Sequence, residues 1–593
     1  IGYWLDYSRP YVTYHADYIE SVWWLVKQIA DRGLVYRGHK ILPYCPRCGT
    51  GLSSHEVAQG YRDVKDPSLY VILPVLGEDG AADGRELLVW TTTPWTLVSN
   101  TALAVNPELE YAEVEHEGRR LVLAAARVPA LFGAEASVAR VFPAAELAGL
   151  RYARPFDWVG TDDVAEDSVA RAWHVYPAPW VTAEDGTGIV HTAPAFGADD
   201  YALGQEQGLP VFNPVDDRGA FRAEIPLVGG RFVKEADTDL VIELKKRGQV
   251  FRSSREEHSY PHCWRCGSPL LYMARDSWFI RTTAVRDELL ANNAQVRWHP
   301  PETGTGRFGE WLENNVDWAV SRNRYWGTPL PIWVCDAAPQ HMEVLGSFEE
   351  LRARVGALPE PFDPHRPFID EHAWACTQPG CTGTLRRIPE VIDVWFDSGA
   401  MPFAQHHYPF ENRAVQERQF PADFISEGVD QTRGWFYSLL AISTLLGRGP
   451  SYRNVVVNDL ILDPEGQKMS KSRGNVVNPW EAVEQFGADA IRWYLLSSAN
   501  PWVPKRFDPE GGREVQRKVF DTLRNTYRFF ALYANLEEWT PSGGGGDPVN
   551  RSTLDRWLLS RVATLTREVR ADMEGYNLTR AVRLLGDFVT DDL

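Results

Sequence analysis

The sequence contains no apolar run of about 18 residues, the length a helix needs to cross a bilayer, and no charged-then-apolar leader at its start. Neither a membrane partner nor a secretory route is expected. Cysteine is scarce: there are 7 in 593 residues, an odd number gathered in clusters. That argues against a disulfide framework and fits metal knuckles in a reducing, cytoplasmic setting. Basic charge is also short, with 61 Lys and Arg against 80 Asp and Glu and a net charge of -19. Phosphate binding is driven by Lys and Arg, so nucleic acid fits only if basic residues gather locally. Two groups do: Lys245, Lys246, Arg247, Arg252 and Arg255, and Arg513, Arg517, Lys518, Arg524 and Arg528. A solvated charged face is the commoner reading of either strip. No methionine opens the chain, which starts at Ile1 and is expected to be part of a longer protein.

What is present reads as globular. The apolar fraction of 44% and charged fraction of 24% are ordinary, and the length implies about three to five domains. Tyr18, Ile19, Val22, Trp23, Val26 and Ile29 recur at helical spacing, with Gly33 as a stop. From about residue 69 the texture becomes β-rich, with short runs at 69–75, 86–91, 111–114, 120–124 and 188–191. One strand-rich domain inserted up to about residue 250 is expected. After Asp276 an α/β pattern returns, with a buried strand expected at 455–462 and a helix opened by Asn478 and Pro479. A glycine-rich linker spans 541–548, and helices are expected at 554–570 and 578–588.

Tyr44-Cys-Pro-Arg-Cys-Gly49 and His262-Cys-Trp-Arg-Cys-Gly267 are a matched pair of Cys-x-x-Cys turns. Each offers two thiolates, and together they form a closed tetrahedral zinc site of Cys45, Cys48, Cys263 and Cys266, structural because no ligand position stays open. Two pairs of reduced thiols without metal is the alternative. Cys335, Cys376 and Cys381 hint at a second knuckle, with Ala338 where a fourth ligand would stand and His341 as its replacement; a metal-free loop is the other reading. Gly304-x-Gly306-x-x-Gly309 matches a dinucleotide fingerprint as a string only, because Pro300-Pro301 stands where a strand is needed.

Lys468-Met-Ser-Lys-Ser472 follows an apolar strand and the turn Pro464-Glu-Gly466, and precedes the capped helix. Two lysines on such a loop suit the phosphates of ATP and the charge that develops as pyrophosphate leaves. This string resembles the KMSKS signature of class I aminoacyl-tRNA synthetases. Glu427-Gly-Val-Asp-Gln-Thr-Arg-Gly-Trp-Phe436, Val391-Ile-Asp-Val-Trp-Phe-Asp-Ser-Gly399 and Ser321-Arg-Asn-Arg-Tyr-Trp-Gly327 resemble the isoleucine, valine and leucine branch. Trp90-Thr-Thr-Thr-Pro-Trp-Thr96 is similar to the isoleucine-specific members, where the other two typically carry Arg-Pro after the threonines. The resemblance covers nearly the whole chain. The class also has a His-x-Gly-His motif near the start of its nucleotide-binding fold, and none occurs here. ATP activation by this stretch alone is therefore not expected.

The resemblance implies a class I Rossmann-type α/β catalytic fold with a large β-rich editing insertion, a zinc knuckle and the start of a helical bundle. The implied map is catalytic at 1–44, 276–330 and 386–512, zinc stalk at 45–67 and 253–275, editing at 68–252, a small insertion at 331–385 and anticodon-binding helices at 513–593. It implies ATP-dependent joining of isoleucine to tRNA(Ile), with Mg²⁺ as a reaction component, hydrolysis of mischarged valine and a monomeric state. Lys468, Met469, Ser470, Lys471 and Ser472 would meet ATP, with Lys468 and Lys471 catalytic. Glu427, Gly428, Asp430 and Gln431 would line the aminoacyl-adenylate, and Trp395 and Trp435 would wall the side-chain pocket. Thr91, Thr92, Thr93, Asn100, His191, Asp199 and Asp200 would form the editing site, Asp200 holding the substrate ammonium. The rival readings are a valine or leucine enzyme, or a non-catalytic tRNA-binding or deacylating module.

Overall fold

The computed structural model describes residues 4–470, 474–540 and 547–593. They divide into two compact units, one of Ile1–Leu25, Val285–Asn315 and Asp397–Leu593, the other of Val26–Ala284 and Val316–Phe396. Among the described residues no helix is long and apolar enough to cross a membrane. The first helix, Ala16–Asp31, buries the Tyr18, Ile19, Val22, Trp23, Val26 and Ile29 stripe read from its period.

The first unit is built on a parallel sheet in the order Arg297–His299, Asn454–Asn458, Ile425–Gly428. Its central strand is a run of buried valines, Val455, Val456 and Val457, as a strand covered on both faces requires. The expected strand over 455–462 is broken after Asn458 and resumes only at Ile461–Leu462. Helix Trp435–Leu445 is buried from Phe436 to Leu445; apolar all round, it is a core helix. The glycine string at 304–309 is corrected in detail. A short strand does precede it, but the glycines lie within helical turns and not in a phosphate-binding loop. Gly304 is there because the Trp298 indole occupies the space of a side chain.

The second unit holds a ten-stranded mixed sheet whose main path runs Val175–Pro177, Ala102–Val105, Ile189–Thr192, Ala82–Thr91, Arg119–Ala124, Glu110–His116, Ser137–Pro143. The expected β-rich runs 69–75, 86–91, 111–114 and 120–124 fall within its strands, and the run expected at 188–191 is the strand Ile189–Thr192, one residue later. Ala102–Val105, Ser137–Pro143 and Val250–Pro261 were not foreseen. The last is mostly exposed and pairs with Tyr61–Leu76 from Val71 to Tyr61, giving a long antiparallel ribbon. A four-stranded antiparallel sheet of Trp318–Ala319, Leu271–Ile280, Val35–Cys45 and Thr50–Gly51 lies at the base of that ribbon. A further four-stranded sheet carries the second cysteine group.

Of the basic strips, Arg513, Lys518 and Arg524 each pair with an acid one turn away, Glu510, Glu514 and Asp521. That strip is the solvated face of a helix.

Candidate functional site

The threonine segment leaves the sheet at the end of strand Ala82–Thr91 and enters a short helical turn, Pro94–Ser99, all of it buried. Two contacts fix that turn. The Trp95 amide donates to Asp237 Oδ1 at 2.8 Å, and the Trp95 ring packs edge-on to Phe196 at 4.7 Å. Burial raises the Asp237 carboxyl to about 7. Strand Ile189–Thr192 runs parallel to Ala82–Thr91 and antiparallel to Ala102–Val105, which delivers His191 between Thr96 and Asn100. His191 Nε2 lies 3.0 Å from Thr96 Oγ1 and its Nδ1 2.9 Å from Asn100 Nδ2. Burial lowers the imidazole to about 4, so the ring is neutral at physiological pH.

Thr93 Oγ1 lies 3.2 Å from Thr96 Oγ1 and 3.3 Å from Thr91 Oγ1. Thr92 is half-buried, with no hydrogen-bond partner among the described residues. Asp200 sits in the first turn of helix Ala198–Gln207, and its Oδ2 accepts from the Ala193 amide at 2.8 Å. Burial raises its carboxyl to about 6, and a bound cation would restore the charged form. Asp199 is exposed beside it. Thr91, Thr93, Asn100 and His191 thus form one hydrogen-bonded row, and Asp200 joins through the backbone two residues beyond His191. Thr96, Tyr152 and Asp237 were not foreseen as parts of this site.

The cysteine turns also meet. Cys45 Sγ lies 3.5 Å from Cys266 Sγ and Cys48 Sγ 4.0 Å from Cys263 Sγ, with all four sulfurs within 4.8 Å of one another. Thiolates about 2.3 Å from a tetrahedral zinc stand about 3.8 Å apart, so the cluster fits that ion. Gly49 and Gly267, at φ +65° and +71°, supply the left-handed residue that closes each turn. Cys335, Cys376 and Cys381 are joined by His341: Cys335 Sγ is 3.6 Å from Cys381 Sγ, and Cys376 Sγ is 3.6 Å from His341 Nδ1. This second cluster has the same compactness, with His341 in the place that Ala338 left open.

Arg322 in the Ser321–Gly327 motif is fully buried. Its Nη2 meets Glu56 Oε2 at 2.5 Å and Asp393 Oδ2 at 2.6 Å. Trp318 Nε1 and His55 also face Asp393 Oδ2, at 2.9 and 3.4 Å. Burial opposes ionisation of Asp393, but Arg322 and the hydrogen-bond donors outweigh it and hold the carboxyl well below the usual range. Asp393 Oδ1 accepts from the Trp395 amide at 3.1 Å, and the His55 ring stands edge-on to the Trp395 indole at 5.8 Å. None of these charges is distinguishable in sequence from a solvated one.

In the first unit, Glu427 and Gly428 end strand Ile425–Gly428 at its carboxyl edge, where open parallel sheets bind ligands. Glu427 and Asp430 are exposed. Gln431 Nε2 donates to Asp430 Oδ2 at 2.9 Å, while Gln431 Oε1 accepts from the Trp435 amide at 2.9 Å and so starts the core helix. Trp435 Nε1 donates to Ser398 O at 3.1 Å. Trp395 lies in the other unit.

The lysine-serine loop is stapled at its base. Asp463 accepts from the Gln467 amide at 2.6 Å and from Asn475 Nδ2 at 2.7 Å, and Asn475 Oδ1 accepts from the Ser470 amide at 2.9 Å. Lys468 is exposed, and Met469 packs against the Ala482 and Phe486 cluster. Lys471 and Ser472 lie outside the described residues.

Residues 1–502 match the family model described as tRNA synthetases class I (I, L, M and V), and the chain belongs to that family. It is 48% identical over its full length to the isoleucine–tRNA ligase of Clostridium novyi, covering 55% of that protein. It is 49% identical over its full length to those of Clostridium acetobutylicum and Thermus thermophilus, covering 56% of each. The chain therefore spans about half the length of the curated relatives it matches. Among solved structures it is similar to the Agrobacterium radiobacter K84 LeuRS in complex with tRNA and LeuAMS, at 17% identity over 98% of this chain and 69% of that one, with a TM-score of 0.45.

Proposed function

We propose that the chain carries the activating core and the editing site of an isoleucine–tRNA ligase. The observation that carries the reading is 48% and 49% identity, along the full chain, with proteins of that name. In this reading the substrates are isoleucine, ATP with Mg²⁺, and tRNA(Ile), and the protein works as a monomer in the cytoplasm. Seven cysteines without a disulfide fit that compartment.

Activation joins the isoleucine carboxylate to the α-phosphate of ATP, and the acyl group then passes to the terminal adenosine. Glu427, Asp430 and Gln431 at the sheet edge hold the polar part of the adenylate, and Trp435 in the same unit supplies apolar wall. Lys468 and Lys471 stabilise the charge on departing pyrophosphate. The cysteine clusters hold zinc, which supplies cross-linking and no reaction chemistry.

An apolar pocket separates amino acids differing by one methylene by only about 1–3 kcal/mol, isoleucine against valine being the reference case for that limit. The threonine-lined site is the second sieve. Asp200 holds the valyl ammonium and so positions the ester. Water adds to the ester carbonyl, the bond to the ribose oxygen breaks, and that oxygen leaves with the proton the water gives up.

The test uses preformed Val-tRNA(Ile) and Ile-tRNA(Ile) at saturating concentration with this chain. Release of valine but not isoleucine is expected. Hydrolysis of neither, or of both equally, overturns the editing reading. For activation, isoleucine-dependent pyrophosphate exchange is measured in the chain extended to the length of its relatives, and preference for valine or leucine overturns the assignment.

A further inference from the structure

The row of hydrogen bonds around His191 has a direction, and one backbone carbonyl sets it. Asn100 Nδ2 lies 3.1 Å from the Ala102 carbonyl oxygen, which only accepts. That atom is therefore the amide nitrogen. Its other hydrogen points at His191 Nδ1, 2.9 Å away, so Nδ1 is the acceptor. The opposite end of the amide agrees: Asn100 Oδ1 accepts the Tyr152 hydroxyl at 2.7 Å. A neutral imidazole with a bare Nδ1 carries its proton on Nε2, and Nε2 faces Thr96 Oγ1 at 3.0 Å. Thr96 accepts it, because its own hydroxyl proton is committed to the Thr93 carbonyl oxygen at 2.8 Å.

We infer that Asn100 and Tyr152 lock His191 as the neutral Nε2–H tautomer, so that His191 positions the threonine turn as a hydrogen-bond donor and does not accept a proton from water. This rests on the deacylation reading of the site. All four side chains, Thr96, Asn100, Tyr152 and His191, are buried, so no solvent competes for these bonds. Burial depresses the imidazole, which agrees with a ring that stays neutral between these partners. Tyr152 is thereby a positioning residue: its hydroxyl holds the amide that holds the ring. The proton of the attacking water goes elsewhere, toward the ribose oxygen that leaves.

Three variants separate a locked donor from a general base. In His191→Gln the amide nitrogen takes the place of Nε2 and still donates to Thr96, so Val-tRNA(Ile) hydrolysis should stay within about tenfold of wild type, one hydrogen bond's worth of misfit. Loss of a general base costs about 100-fold or more. Asn100→Asp replaces the amide donor with an acceptor and inverts the tautomer at constant volume; a fall in kcat of about 100-fold is expected, with KM little changed. Tyr152→Phe should give an intermediate loss.

The direct readout is ¹⁵N-histidine NMR of the whole chain, with the His191 signals identified by their disappearance in His191→Gln. Protonated Nε2 and bare Nδ1 between about pH 6 and 8 are expected. Protonated Nδ1, or His191→Gln as inactive as His191→Ala, overturns the lock. A wild-type chain that hydrolyses nothing but shows the expected spectrum upholds the lock and overturns the deacylation reading instead.

Discussion

The indole Nε1 of Trp264 donates to Glu56 Oε1 across 2.9 Å. Trp264 stands between Cys263 and Cys266, and the other Glu56 oxygen meets Arg322. The cysteine cluster is thus linked through Glu56, Arg322 and Asp393 to the Trp395 amide by a chain of polar contacts that is part-buried at its ends and buried at Arg322. Each link is oriented because a buried charge left without its partner is costly.

Arg322→Met should therefore destabilise the protein by about 3–5 kcal/mol, since it strands Glu56 and Asp393 without a counter-charge. Urea denaturation followed by tryptophan fluorescence measures this. Asp393 is held below the usual carboxylate range, so its contribution to stability is present above the unfolded value of about 3.9 and lost as pH falls toward the folded value. The gap between wild type and Arg322→Met should accordingly narrow in acid. A gap under about 1 kcal/mol at pH 7 would mean the triad is dispensable.

Elemental analysis should find two zinc ions per chain, one for each cluster. Cys45→Ser or Cys263→Ser should remove one ion and leave the other. His341→Ala should weaken the second by about 10–100-fold, visible in competition with a chromogenic chelator. A count of one that His341→Ala does not change would restrict metal to the four-cysteine cluster.

Asp200 must be charged to hold an ammonium group, and burial raises it to about 6. The kcat/KM for Val-tRNA(Ile) hydrolysis reports groups of the free enzyme and should rise through that value as pH increases. Asp200→Asn should be slow and lack this limb, while keeping the wild-type circular dichroism. A pH profile identical to wild type would remove Asp200 from the mechanism.

Asp237 makes the opposite kind of prediction. Its folded value of about 7 lies above the unfolded carboxylate. The stability it contributes is full below about pH 4 and lost as pH rises through the folded value. Asn in its place keeps an acceptor for the Trp95 amide and carries no charge. Asp237→Asn should therefore raise stability at pH 8 and change little at pH 4, as read by thermal unfolding. A uniform loss at both pH values would show that the carboxylate itself is needed.

What was legible in the sequence is chemistry carried by neighbours in the chain. Two Cys-x-x-Cys turns declare a four-sulfur site because each turn is complete in six residues and only their meeting is left to the fold. The threonine segment and the lysine-serine loop are local in the same sense. What was hidden depends on contacts the fold creates. Tyr152 and Asn100 are 52 positions apart, and nothing in either neighbourhood marks a partner. Arg322, Glu56 and Asp393 look like ordinary surface charges until burial removes their water. Strand Val250–Pro261 was missed because its Arg, Glu and Ser run faces solvent, so it has no apolar period to read. No spacing rule brings His341 to Cys376; the two meet beside the ends of strands Met342–Val344 and Ala373–Ala375, which lie on opposite edges of one sheet.

The antiparallel ribbon of Tyr61–Leu76 and Val250–Pro261 has one further consequence. The His258 ring reaches diagonally across it to Asp66 Oδ2 at 3.2 Å, although 192 positions separate the two in the chain. Side chains alternate faces along each strand, so losing one residue from one side would turn every later side chain on that strand to the wrong face. A length change in one strand therefore calls for an equal change in the other or for a register shift such as the one between Val250 and Arg252. Two remote stretches of the gene are thereby coupled in length, a constraint that should appear among relatives as paired gaps or as such shifts.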